Sequence, residues 1–73
     1  MGADPNFLRR LGKRCRALRH ESGLSQLDMV RSHDFSLAHY QKIERGDLDP
    51  RVSTLRKLAN AYNVTLSELL KGL

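Results

Sequence analysis

The sequence predicts an all-α fold, a compact bundle of five short helices in one domain. Three observations predict it: apolar residues recur at spacings of three and four, helix-capping residues precede the apolar segments, and the alternation typical of β-strands is absent. The chain has 73 residues, which is enough for one core. A domain of this size has little room for a deep substrate cavity, so we expect no enzyme.

The first helix is predicted to span roughly Pro5 to Glu21. Asp4 can cap it, and Pro5 suits the first helical position because its missing N–H would lack a helical partner there anyway. Gly23 can end the helix in a left-handed conformation. One apolar stripe on this otherwise basic helix consists of Leu8, Leu11, Cys15 and Leu18. We expect residues 1–6 to be a flexible arm or an expression remnant and residues 7–73 to form the domain.

Two short helices separated by a tight turn are predicted next. Ser25 caps helix 2, which ends near Ser32, and Asp28 completes a weakened capping box. Ser36 caps helix 3, which runs from Leu37 to Arg45 and ends before Gly46. The turn between the two helices consists of His33, Asp34 and Phe35. This is helix-turn-helix geometry, in which one helix braces against the DNA backbone while the next enters the major groove.

Two further helices complete the predicted bundle. Helix 4 is expected from about Ser53 to Tyr62, with Asn63 as a left-handed C-cap. Thr65 and Glu68 form a full capping box for a last short helix that stops at Gly72.

The charge balance favours a polyanionic partner. Thirteen Lys and Arg against eight Asp and Glu give a net charge of +5, and such a balance suits nucleic acid or anionic lipid. No apolar run is long enough for a membrane span, residues 1–6 lack the features of a signal peptide, and a lone Cys15 cannot close an intrachain disulfide. Helix 1 has no Trp and needs its apolar stripe for the core. We therefore expect a cytoplasmic protein with no membrane partner.

A longer motif resembles a known family. The segment from Gly23 to Pro50, GLSQLDMVRSHDFSLAHYQKIERGDLDP, is similar to the helix-turn-helix of Cro/cI-type (XRE) regulators, and the similarity extends through LGKRCRALR before it and VSTLRKLANAYNVTLSELL after it. The resemblance implies a lambda-repressor-like five-helix bundle with the motif in helices 2 and 3. It also implies a bacterial or phage transcriptional regulator, a repressor or autoregulator, that binds double-stranded DNA as a homodimer on a palindromic operator.

Three positions depart from the family pattern. Asp34 stands in the turn where the family usually has Gly, and Asp adopts a positive φ at some cost in energy. Val30 replaces the usual Ala at the close approach of the two helices, and His33 replaces an aliphatic residue that faces the core. We expect either a wider helix crossing or a local rearrangement of the turn.

The two sides of helix 3 have different predicted roles. Tyr40 and Ile43 fall on one side and should pack on the core. The other side carries Leu37, Ala38, Gln41, Lys42 and Arg45. The resemblance implies base contacts for Leu37, Ala38 and Lys42. Lys42 can donate to guanine O6 or N7, whereas the two apolar residues can only touch groups such as the thymine methyl.

Three side chains with only one polar group among them can distinguish few base pairs, so the choice of DNA sequence needs a further contribution. His39 or Gln41 adds a contact, or sequence-dependent DNA shape supplies the discrimination.

Backbone contacts are predicted at both ends of the motif. Ser25 and Gln26 stand at the first turn of helix 2, where free amides and the positive end of the helix dipole favour a phosphate. Arg45 and Arg51 are the next candidates, and the alternative for each is an ordinary solvated charge. The resemblance also implies a structural ion pair between Arg19 and Glu44, which would tie helix 1 to the end of helix 3.

Other functions are less well supported. Cys15 and the three histidines, His20, His33 and His39, lack the spacing of a helical ligand pair, so we expect no metal and no cofactor. The alternative that stays open is a protein-interaction module, such as an antitoxin or controller subunit, in which DNA binding is secondary. Its candidate anchors are Leu27, Leu48 and Leu73.

Overall fold

Five α-helices and no strand make up the computed structural model of the chain, which describes residues 4–73. The helices are α1 (Pro5–Glu21), α2 (Gln26–His33), α3 (Leu37–Arg45), α4 (Val52–Ala61) and α5 (Leu66–Leu70). This confirms the predicted all-α bundle with α2 and α3 as the helix-turn-helix. No helix in this part of the chain is long and apolar enough to cross a membrane.

The helix ends follow the predicted bounds to within a residue. Helices α1 and α3 begin and end where the caps predict, α2 continues one residue further to His33, and α4 starts and stops one residue early. Residues 1–3 of the expected N-terminal arm lie outside the described residues. Pro5 and Asn6 form the first turn of α1, and the Asp4 side chain accepts a hydrogen bond from the Asn6 amide at 3.0 Å. The helical domain therefore begins before Phe7.

The two predicted capping boxes both differ from expectation: the box at α2 is complete, and the box at α5 is incomplete. The Asp28 amide donates to Ser25 Oγ at 3.0 Å and the Ser25 amide donates to Asp28 Oδ2 at 2.8 Å, so this box is complete. The backbone and side-chain hydrogen bonds from Ser25 lower the pKa of the Asp28 carboxyl. At α5 the Glu68 amide donates to Thr65 Oγ1, but the Glu68 carboxylate lies 3.5 Å from Arg14 of α1. The full box predicted there is wrong because an ion pair to α1 takes the carboxylate.

The turn between α2 and α3 keeps its tight geometry despite Asp34. Asp34 adopts the left-handed conformation at φ 59° and ψ 44°. Lys57 of α4 donates to the Asp34 carbonyl oxygen, and its Nζ lies 4.3 Å from the centroid of the Phe35 ring. An ammonium group over a ring face is attracted by the ring quadrupole. These contacts offset part of the cost of a non-glycine residue at a positive φ.

Phe35, which sequence reasoning placed only in the turn, is a core residue. Its ring meets the Tyr40 ring edge-on at 5.5 Å between centroids, an arrangement that aromatic pairs favour. His33, the last residue of α2, is half-buried. The apolar core consists of Leu11, Cys15, Leu18, Met29, Phe35, Tyr40, Ile43, Leu58, Ala59, Ala61, Tyr62 and Leu69. Burial raises the pKa of the Cys15 thiol to about 12, so Cys15 is a neutral packing residue.

Helix α1 crosses the end of α3 at very short range. A Cβ at Gly12 would lie 2.8 Å from the Glu44 carbonyl carbon and 2.8 Å from the Ile43 carbonyl oxygen. Gly46, which ends α3 at φ 77°, would bring a Cβ to 2.9 Å from the Arg9 Cα. Two glycines therefore allow α1 to rest directly on the backbone of α3, which fixes the position of α3 from behind.

We expect Gly12→Ala to destabilise the domain by about 1–3 kcal/mol, because the added methyl group forces α1 and α3 apart. At an ordinary helical position the same change would stabilise by up to about 1 kcal/mol through helix propensity. Urea unfolding followed by circular dichroism shows whether the free energy of unfolding falls or rises. A variant at least as stable as the wild type would contradict the close crossing.

Candidate nucleic-acid interface

Helix α3 presents an exposed face opposite its buried side. Tyr40 and Ile43 are buried, as their positions predict, while Ala38 and Lys42 are exposed and Leu37 keeps 38% of its surface accessible. Ser36 caps the helix by accepting from the His39 amide at 3.1 Å. Leu37, Ala38 and Lys42 thus lie on the solvent-facing side of α3, at its start and middle, and we call these three residues the ridge; His39 and Gln41 are half-buried.

A buried ion pair holds this ridge in place. Arg19 is only 7% exposed, and its Nε and Nη2 donate to the Glu44 carboxylate at 2.7 and 3.2 Å. Its Nη1 donates to the Leu24 carbonyl at 3.0 Å. Two parallel bonds between a guanidinium and a carboxylate define orientation as well as distance. The pair predicted from the family resemblance is present, and it ties α1, the loop before α2 and the end of α3 together.

The electrostatics of the pair agree with its geometry. The hydrogen bond to Glu44 raises the pKa of Arg19 despite burial. For Glu44, burial alone would raise the carboxyl pKa, but hydrogen bonds from Arg19, Tyr40 and Gln26 outweigh it and hold the pKa below the ordinary 4.5. Both groups are therefore ionised at neutral pH.

Gln26 belongs to the same network, which the sequence did not reveal. Its Nε2 donates to Glu44 Oε1 at 3.1 Å, and its Oε1 accepts from Gln41 Nε2 at 3.2 Å. A side-chain amide has two N–H donors. The orientation of Gln26 is thus set at both ends, and one N–H remains for another acceptor.

Behind the ridge, two tyrosines extend the network into the core. The hydroxyls of Tyr40 and Tyr62 lie 2.7 Å apart in a buried hydrogen bond. Burial is the main cause that raises the pKa of each tyrosine, so both remain neutral hydroxyls. Because Tyr62 follows the last turn of α4, this bond connects α4 to the middle of α3.

The surface has one depression on each side of Ala38 and Lys42. One is lined by Arg16, Gln26, Gln41, Glu44 and Arg45. The other is lined by His39, Leu48, Asp49, Pro50, Arg51, Ser53 and Thr54. At 100° per residue, Gln41 and His39 fall on opposite sides of Ala38 and Lys42. The two depressions therefore lie on opposite flanks of Ala38 and Lys42, and Leu37 lies beyond Gln41.

The two arginines predicted to contact the DNA backbone, Arg45 and Arg51, differ in the side chains they contact in this structure. Arg45 Nε lies 3.0 Å from Asp47 Oδ2, and both side chains are more than half exposed, at 60% and 58%. Exposed pairs of this kind are weak and exchange readily for another anion. Arg51 is exposed at the N-cap of α4, and its side chain makes no capping bond there. His39, which lines the same depression, is half-buried with its ring 6.0 Å from the Phe35 centroid.

The leucines proposed as protein-binding anchors do not form an exposed patch. Leu48 and Leu73 are partly buried against the core, while Leu27 is 49% exposed.

Comparison with known proteins identifies the architecture. A family of sequences described as a helix-turn-helix domain matches residues 10–71. The chain belongs to this helix-turn-helix family. This confirms the resemblance drawn from the motif between Gly23 and Pro50.

Two curated relatives of this helix-turn-helix domain are bacterial. It is 36% identical over 63 residues to the HTH-type transcriptional regulator DdrOP3 of Deinococcus deserti, covering 86% of the chain and 49% of that protein. It is 38% identical over 60 residues to the uncharacterized HTH-type transcriptional regulator y4dJ of Sinorhizobium fredii, covering 82% of the chain and 78% of that protein. The chain therefore spans about half the length of the first relative.

A solved structure has the same arrangement of helices. The crystal structure of the DNA-binding domain of BldD superposes with a TM-score of 0.81 at 30% identity, covering 93% of this chain and 99% of that one. The helix-turn-helix fold is thus shown by sequence and by structure together.

We expect Arg19→Ala to lower the melting temperature by at least about 10 °C, because it leaves Glu44 as a buried charge without its partner. Arg16→Ala is the matched control: it removes an exposed arginine from the same helix, and its effect should stay within about 0.5 kcal/mol. Equal melting temperatures for the two variants would show that the pair does not hold the bundle together.

A second prediction concerns acid. Because the pKa of Glu44 is lowered by folding, its ionised form contributes stability above the unfolded pKa, and this contribution is lost as pH falls through the folded value. The wild type should be more stable than Glu44→Gln at pH 6, and the difference should shrink towards pH 3. Urea unfolding at both pH values measures it, and a constant difference would contradict the assignment.

Proposed function

We propose that this domain binds double-stranded DNA sequence-specifically as the DNA-binding part of a transcriptional regulator, with α3 in the major groove. The observation that supports this most is the exposed ridge of Leu37, Ala38 and Lys42, held from behind by the buried Arg19–Glu44 pair. A rigid helix with an exposed polar donor and two apolar contacts suits base edges. The regulators similar to this chain support the same conclusion.

In this proposal Lys42 is the main polar reader of base edges. Its ammonium donates to guanine O6 or N7, while Leu37 and Ala38 contact apolar groups such as the thymine methyl. His39 adds a contact from the flank of the ridge. Direct readout by so few groups leaves part of the discrimination to the shape and deformability of the DNA.

Backbone contacts position the ridge without reading sequence. Gln26 donates its free N–H to a phosphate beside the first turn of α2, where Ser25 caps the helix and the dipole favours an anion. Arg45 exchanges Asp47 for a phosphate on the same side, and Arg51 contacts the backbone from the other depression.

Gln41 acts in this scheme through Gln26. Its Nε2 is engaged by the Gln26 oxygen, so a direct base contact from the same donor would require that hydrogen bond to stretch or break. Holding Gln26 in place links the phosphate contact to the register of the reading helix. We therefore assign Gln41 a positioning role first and a base contact second.

The family resemblance also supports a proposal about the whole protein. We propose a bacterial or phage cytoplasmic regulator, a repressor or autoregulator, that binds a palindromic operator as a homodimer, because two-fold dimers match palindromic half-sites. The alternative of a protein-interaction module stays open, and of its three candidate leucines Leu27 is the exposed one, at 49%.

The proposed function is tested by the affinity of the chain for a duplex at several salt concentrations. Each phosphate that a Lys or Arg neutralises adds about 0.9 to the fall of the logarithm of affinity with the logarithm of salt, so Arg45 and Arg51 alone predict a slope of about −2 or steeper. Fluorescence anisotropy of a labelled duplex measures this slope. Absence of binding, or a flat response to salt, would overturn the proposal.

Three variants separate the proposed roles. Lys42→Ala should relax base preference at one position of the site, with a loss of about 1–3 kcal/mol there. Gln26→Ala should weaken binding to all sequences alike, and Gln41→Ala should resemble it because it releases the Gln26 amide. In-vitro selection of bound sequences with each variant measures the preference. A changed preference for Gln26→Ala would contradict its role as a backbone contact.

A further inference from the structure

Helix α1 carries a row of cations that the helix-turn-helix itself does not use. Arg9, Lys13 and Arg16 are exposed, and at 100° per residue they fall within an arc of about 60° on one side of α1. Arg10 lies outside this arc. We call Arg9, Lys13 and Arg16 the α1 stripe.

The α1 stripe has no carboxylate partner among residues 4–73. Arg9 donates only to the side-chain oxygen of Asn6, and neither Lys13 nor Arg16 takes part in an ion pair in this part of the chain. The cations that do face a carboxylate are Arg14, Arg19, Arg45 and Lys57. Of the nine Lys and Arg residues without such a partner in residues 4–73, three therefore lie together on this face of α1.

The stripe is continuous with the proposed backbone contacts. Arg16 lines the same depression as Gln26 and Arg45. The backbone of Arg9 meets Gly46, directly after the end of α3. The stripe therefore runs from Arg16, beside Gln26 at the first turn of α2, to Arg9, beside Gly46 at the end of α3.

We propose that the α1 stripe binds the phosphate backbone of the same duplex, beyond the base pairs that α3 reads. This inference rests on the proposed function. The seven-residue step from Arg9 to Arg16 spans about 10 Å along the helix. Phosphates of one strand advance about 3.4 Å along the duplex axis per base pair, so the stripe is long enough for about three of them. It adds affinity and salt dependence, and it reads no sequence.

The test compares two triple variants of the full chain that each remove three positive charges. The stripe variant is Arg9→Gln, Lys13→Gln and Arg16→Gln. The control variant is Arg10→Gln, Arg56→Gln and Lys71→Gln, at three exposed positions away from the stripe. Circular dichroism establishes that each is folded, and anisotropy with a labelled 30-base-pair duplex of arbitrary sequence measures affinity from about 50 to 200 mM salt.

The expected result is a change of slope in the stripe variant alone. Losing three phosphate contacts should make its salt slope shallower by about 2 to 3, so that over this salt range the wild type loses roughly 40-fold more affinity than the variant does. The control variant should change the slope by less than about 1, through long-range charge only. If the stripe variant does not fold, the single variants Lys13→Gln and Arg16→Gln should each make the salt slope shallower by about 0.9.

Other results would overturn the inference. Equal slopes for the stripe and control variants would mean that only net charge matters. A steep wild-type slope that the stripe variant retains would leave the proposed function standing and refute this inference alone, whereas a wild type that binds no duplex would refute both. Weaker binding of the stripe variant to phosphatidylserine vesicles, with unchanged DNA binding, would assign the stripe to a membrane surface instead.

Discussion

The bidentate pair between Arg19 and Glu44 is the interaction on which the arrangement of the helices depends. It joins α1 to the last turn of α3, and the third donor of Arg19 reaches the Leu24 carbonyl in front of α2. Burying two charges costs several kcal/mol per ion, and only good geometry with further hydrogen bonds recovers it. The net gain in stability is therefore small, and the effect of the pair is to define one geometry: any displacement of α3 relative to α1 leaves a charge without its partner.

The pair also connects the core to the surface that faces outward. Glu44 accepts from Gln26, and Gln26 accepts from Gln41, so a single hydrogen-bonded path runs from a buried arginine to the exposed face of α3. Gly12 makes this path possible by letting α1 lie directly on the α3 backbone. The Glu44 carboxylate therefore fixes both the position of α3 and the side chain of Gln26, the proposed backbone contact beside it.

Much of the fold could be predicted because its signals are local. Asp4, Ser25 and Ser36 cap their helices as predicted, and Asp34 takes the left-handed conformation that a turn at this point requires. Short-range rules decide such features. The Arg19–Glu44 pair was accessible only through the family resemblance, since the two residues stand 25 positions apart.

The features that escaped prediction depend on how helices cross. The bond from Gln41 to Gln26 exists only because α2 and α3 meet at one particular angle, and no spacing rule encodes that angle. Glu68 left its expected capping box because α5 lies against Arg14 of α1. Phe35 turned out to be a core residue, with its ring against Tyr40 of α3 and beneath the Lys57 ammonium of α4. The base and backbone roles in the candidate interface remain predictions.

One measurement tests the central claim directly, namely that α3 and its flanks form the surface that binds DNA. A uniformly ¹⁵N-labelled chain is titrated with a short duplex, and backbone amide shifts are followed by NMR. We expect the largest changes at the start of α2, along the exposed face of α3 and at the start of α4, while the amides of α5 stay nearly unchanged. Changes centred on α5, with α3 unperturbed, would contradict it.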